Sequence, residues 1–99
     1  MDFKYKVLFL HQEGCHPCQS MKPIWSQVAS EIEEEYPHYK VGFGMWDVND
    51  DDWELADEIG VDGTPGFAVF DSNNNLLDSN VEGAMPASKL KSWILGAIE

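Results

Sequence analysis

The chemistry in this 99-residue sequence concentrates at Cys15-His16-Pro17-Cys18, which holds its only two cysteines. Thiols two residues apart cannot staple distant loops, so the spacing signals redox or metal chemistry rather than a secreted disulfide framework. The motif lies between an apolar strand signal and a long helix signal. At such a helix start, free N–H groups and the positive end of the helix dipole favour an anion. A thiolate is one, and only the thiolate attacks a disulfide. Cys15 is therefore expected to attack, and Cys18, one turn in and more buried, to resolve the mixed disulfide by attacking Cys15. Pro17 fixes the turn so that the sulfurs face each other. His16, when protonated, stabilises a neighbouring thiolate, whereas the carboxylate of Glu13 opposes it.

Competing chemistries fit less well. His11, Cys15, His16, Cys18 and His38 are zinc-ligand types, but there is no second paired knuckle and Cys18 would turn into the helix, so no metal is expected. Haem attachment needs His directly after the second cysteine, where Gln19 stands. The run from Asp47 to Asp52, with Glu58 at the twelfth place, imitates a calcium-binding loop. Its sixth place is Asp52 instead of the required Gly, so a capped, solvated helix start is the better reading. The Cys15–Cys18 couple itself is the expected redox group, with no added cofactor.

Four strands and three helices must position this motif. Lys4 to Leu10 reads as a central strand, because Val7 to Leu10 are all apolar. From Pro17 onward Met21, Ile24, Trp25, Val28 and Ile32 recur at helical spacing; this helix ends before Pro37 and should kink at Pro23. Val41 to Val48 is a second strand. Asp50, Asp51 and Asp52 offer an N-cap for a short helix carrying Trp53, Ala56 and Ile59 and closed by Gly60. Phe67 to Phe70 and Leu76 to Val81 form a hairpin across Ser72-Asn73-Asn74-Asn75. Pro86 opens a last helix with Leu90, Trp93, Ile94, Ala97 and Ile98 on one stripe. The order β-α-β-α-β-β-α implies an α/β fold with a parallel first pair, a right-handed crossover and a mixed four-stranded sheet flanked by helices. The four tryptophans follow the apolar pattern and are read as core, with Trp46 the one close enough to the motif to touch a substrate.

Length and composition narrow the partners. The chain suits one domain over residues 1–99. Six lysines and no arginine face 18 acidic residues, a net charge of −12. Nucleic acid and anionic membrane surfaces are poor partners for that charge. No apolar run approaches the roughly 20 residues of a membrane span, and Val7 to Leu10 is too short for a signal-peptide core, so a cytoplasmic monomer is expected.

Taken together, the motif residues resemble the thioredoxin family over nearly the whole chain. The matching pieces are Val7 to Leu10, Cys15-His16-Pro17-Cys18, Pro23 five residues later, Gly60-Val61-Asp62-Gly63-Thr64-Pro65 before Phe67 to Phe70, and Gly83 before the last helix. The resemblance implies a thioredoxin fold in which Pro65 is cis and faces the cysteines, with Thr64, Pro65, Gly83 and Gly14 shaping a groove for a substrate polypeptide. It also implies disulfide-containing protein substrates and an upstream reductase of the thioredoxin reductase type. The chain departs from the family in four ways. Gly14 replaces a tryptophan, His16 replaces a glycine, the extra N-terminal strand and helix of longer thioredoxins are missing, and the buried acid of the preceding strand falls at Phe9. His11, Glu13 and His16 are the nearby candidates to replace that acid.

Dithiol reduction of protein disulfides is the expected activity. A glutaredoxin-like role is disfavoured because Glu82-Gly83-Ala84-Met85 lacks that family's Gly-Gly segment and the acidic surface would repel glutathione. A more oxidising oxidase or isomerase would carry its histidine directly before the second cysteine. An alternative of another class is a non-catalytic thioredoxin-fold interaction subunit.

Overall fold

Apolar side chains on both faces make β1 (Tyr5–His11) the centre of the sheet, and it pairs in parallel with β2 (Val41–Asp47) and antiparallel with β3 (Gly66–Asp71). The computed structural model describes residues 3–99. Between β1 and β2 runs α1 (His16–Glu35), and between β2 and β3 the short α2 (Glu54–Glu58). β4 (Leu76–Asn80) pairs antiparallel with β3, and α3 (Ala87–Ile98) closes the chain. The strand order is β2-β1-β3-β4. β2 has no strand partner on its outer side among the described residues. No described helix is long and apolar enough to cross a membrane.

Alternation along the strands divides the interior into two cores. Val7 and Phe9 of β1 and Phe67 and Val69 of β3 point to one face, where Trp25 and Val28 of α1 and Leu90 and Ile94 of α3 cover them. Leu10 and Ala68 point to the other, covered by Val48, Ala56 and Ile59. The result is three layers, with the 20-residue α1 and α3 on one face and α2 on the other. At the heart of the first core, the Phe9 ring lies 5.3 Å from Phe67 and 5.6 Å from Trp25. Such pairs add about 0.5–1.5 kcal/mol each beyond simple burial. Helix α1 runs unbroken through Pro23.

The stretch after β2 differs most from the sequence reading. Instead of a helix starting at Asp50 to Asp52, a 3-10 turn forms over Val48–Asp51, and Asp52 and Trp53 adopt left-handed backbone at φ 55° and 67°. The carboxylates hold this geometry together: Asp47 accepts the Asn49 N–H at 2.9 Å, and Asp51 accepts the Leu55 N–H at 2.9 Å. The Trp53 indole N–H donates to Asn49. Only Glu54–Glu58 remain helical, so Trp53 and Ile59 flank α2 rather than belonging to it. The strand ends also shift by a residue. β1 starts at Tyr5 and reaches His11, β2 stops at Asp47, and β4 stops at Asn80.

Two features make stability testable. A Cβ on Gly66 would fall 2.6 Å from Val61 Cγ1 and 3.2 Å from the Gly63 carbonyl oxygen, too close for either to accommodate freely. Gly66→Ala should therefore cost about 1–3 kcal/mol in urea denaturation. In the hairpin loop, the Asp71 carboxylate accepts N–H bonds from Asn75 and Asn73 and from the Asn75 side-chain amide. The Asn75 backbone bond is the main cause holding this carboxyl below its ordinary range. Its contribution is therefore present at neutral pH and lost as pH falls through the folded value. Asp71→Asn should destabilise at pH 7, with the gap from the parent closing below about pH 4.

Candidate active site

Where β1 ends, the chain turns directly into α1 through Gln12, Glu13, Gly14 and Cys15. Gly14 has φ +82°, a left-handed conformation open to glycine at little cost. Cys15 then takes extended backbone (φ −86°, ψ 102°) as the N-cap of α1, with Pro17 in the first turn where no backbone donor is needed. Its Sγ accepts the backbone N–H of Cys18 at 3.2 Å, so a helix-start donor points at the sulfur. A sulfur in that position is stabilised when it carries negative charge.

Cys15 and Cys18 form a disulfide, with Cα atoms 5.2 Å apart. The two are not equivalent. Cys15 is half-buried at the loop surface, whereas Cys18 is 1% exposed and belongs to the core under α1. His16 and Pro17 are exposed beside Cys15. An incoming disulfide can reach Cys15 and not Cys18, which is the asymmetry that two-step thiol exchange needs.

The loop before β3 is tied to this turn by a hydrogen bond that no sequence pattern signals. Gln12 Nε2 donates to Thr64 Oγ1 at 2.9 Å, across 52 positions of sequence. The Thr64–Pro65 peptide is cis, and Pro65 is buried. Thr64 precedes β3, outside the strand ladder. Gly83, at φ +95°, is tethered less directly: two residues on, the Met85 N–H donates to Met21 Sδ in α1 at 3.4 Å. Cys15, His16, Pro17, Cys18 and Gly14 thus sit on one turn, with Thr64 and Pro65 bound to it through Gln12.

Other sequence candidates lie elsewhere. His38 sits in the 3-10 turn Pro37–Tyr39, past the far end of α1 and about 30 Å of helix from Cys15. Among the described residues no three His, Cys, Asp or Glu side chains are placed to hold a metal ion. Trp46 packs into the α2-side core, on the opposite face of the sheet from Cys18. Behind the disulfide lies a cavity of about 240 Å³ lined by His11, Gln12, Glu13, Cys18, Lys22 and Asp47. A larger cavity of about 590 Å³, between Phe3, Ile32, Tyr36 and Val41, is at the other end of α1 and contains no thiol.

The family model for thioredoxin matches residues 5–96. Among curated proteins, the chain is 34% identical over 88 residues to the thioredoxin-like protein HCF164, chloroplastic, of Arabidopsis thaliana, covering 88% of this chain and 31% of that protein. The chain thus spans about a third of the length of the curated relatives it matches. Among solved structures, thioredoxin f from spinach chloroplast (short form) superimposes with TM-score 0.75 at 30% identity, over 98% of this chain and 79% of that one. The thioredoxin of Malassezia sympodialis gives 0.70 at 31% identity, over 97% and 79%.

The Gln12–Thr64 bond is half-buried, and among the described residues no other side-chain hydrogen bond joins these two loops. Gln12→Ala should lower the stability of the oxidised protein by about 0.5–1.5 kcal/mol in urea denaturation.

Proposed function

Since the chain belongs to the thioredoxin family, we propose that its Cys15–Cys18 pair reduces disulfides in proteins by dithiol exchange. One observation carries this reading: an accessible sulfur at a helix N-terminus, aimed at by a backbone N–H, is joined to a buried sulfur one turn on. The reduced protein attacks with the Cys15 thiolate, forming a Cys15–substrate disulfide and releasing one substrate thiolate. Cys18, as thiolate, then attacks Cys15 Sγ, and the second substrate sulfur leaves as a thiol or thiolate. Two electrons pass to the substrate, and Cys15–Cys18 is left as the disulfide that the structure holds.

On this reading Thr64, Pro65, Gly83 and Gly14 shape the groove that receives an extended substrate polypeptide. His16 and Pro17 tune the couple from the solvent side. An upstream dithiol donor must return the pair to its reduced form. With a net charge of −12, partners carry a basic docking face and associate more slowly as salt rises.

Cys18→Ser provides the direct test, with insulin as a model disulfide protein. The variant should lose multiple turnover yet capture one equivalent of substrate through Cys15, in an adduct that dithiothreitol releases. Capture through Cys18 in a Cys15→Ser variant, with none in Cys18→Ser, overturns the assignment.

A further inference from the structure

The resolving step asks Cys18 to lose its proton inside a core. Cys18 shares a buried cluster with Phe9, Met21, Trp25 and Phe67, none of which can accept a proton. A thiol in apolar surroundings gives up its proton reluctantly, so a base must reach it from a polar opening beside it. One such opening is the 240 Å³ cavity, which touches Cys18 on one side and His11, Glu13, Lys22 and Asp47 on the others.

Strand geometry places His11 on the same side of the sheet as Cys18. Side chains along β1 alternate, with Val7 and Phe9 facing α1 and Leu8 and Leu10 facing α2. His11 is the next member of the α1-facing set, and its ring lies 5.7 Å from the Phe9 ring. It is half-buried at the point where the apolar core gives way to the cavity.

The other charged groups facing the cavity are less suited. An ammonium has no lone pair, so Lys22 cannot accept a proton while charged. Glu13 is exposed on the loop. Asp47, the register partner of His11 on β2, already accepts the Asn49 N–H at 2.9 Å through Oδ1. Imidazole is also the side chain whose ordinary titration lies nearest neutral pH, where a general base is most effective.

We propose that His11 is the proton acceptor for the Cys18 thiol in the resolving step, acting directly or through one water in the cavity beside Cys18. The inference rests on the dithiol mechanism above. In the Cys15–substrate intermediate, the neutral His11 imidazole takes the Cys18 proton. Cys18 Sγ forms its bond to Cys15 Sγ as the Cys15–substrate S–S bond breaks, and the departing substrate sulfur recovers the proton from the imidazolium or from water. Water occupies roughly 30 Å³ per molecule, so the cavity has room for such a relay.

Reaction of the reduced protein with one equivalent of dipyridyl disulfide separates the steps, because each sulfur attack releases one coloured pyridinethione. The first release reports Cys15, and the second reports Cys18. His11→Ala should leave the first unchanged and slow the second by on the order of 100-fold at neutral pH. It should also remove the imidazole limb of the second-phase pH profile, and added imidazole should restore part of the rate. His11→Gln, which keeps the bulk, should slow the second phase in the same way. A second phase unchanged in rate and pH profile in both variants overturns the proposal, as does equal slowing of both phases. If the parent protein releases no pyridinethione at all, the dithiol mechanism itself fails, which is a different result.

Discussion

The burial of β1 on both faces is the constraint on which the redox end depends. Hydrogen-bonded to a parallel neighbour on one edge and an antiparallel one on the other, β1 cannot slip register without turning Val7 and Phe9 out of one core and Leu10 out of the other. Its C-terminal end is therefore a fixed point. After four intervening residues α1 begins, its direction set by Trp25, Val28 and Ile32 packing back on the same sheet. The Cys15 turn is held between two elements that cannot move independently, and Gln12 then binds the loop before β3 to the same point.

Phe9 shows how this frame redistributes chemistry. An aromatic ring in the middle of β1 extends the stack of Phe67 and Trp25 and makes the floor beneath Cys18 apolar. A charge there would be costly without a partner. Titratable groups instead appear one step further along the same face, at His11 and its register partner Asp47, where the sheet meets the cavity. The apolar floor contributes stability, while the polar rim stays within reach of the reacting sulfur.

Much of this was legible in the sequence, and the exceptions have physical causes. The apolar run of β1, the helical spacing from Met21 to Ile32 and the stripe from Leu90 to Ile98 each repeat one period over several turns or residues, so their elements and a mixed α/β sheet emerge from local pattern, while the thioredoxin fold comes from the resemblance of the motifs. The cysteine pair declares itself by spacing. The segment Val48–Trp53 does not, because its shape comes from two carboxylates folded onto nearby N–H groups and from non-glycine residues in left-handed backbone. No periodicity encodes that. The Gln12–Thr64 bond and the pairing of His11 with Asp47 join residues far apart in the chain, and they become visible only when the sheet register is known.

The outer edge of β2, which no strand covers among the described residues, has a colloidal consequence. Seven residues of strand, including two glycines and the exposed Met45, present unpaired N–H and C=O groups that another copy could extend as a continued sheet. At neutral pH, two copies bearing twelve net negative charges each repel before those edges meet. Near the isoelectric point of about 4.3 that repulsion vanishes while the edge remains. Acidification toward that point therefore removes the repulsion that opposes edge-to-edge pairing of two copies through β2.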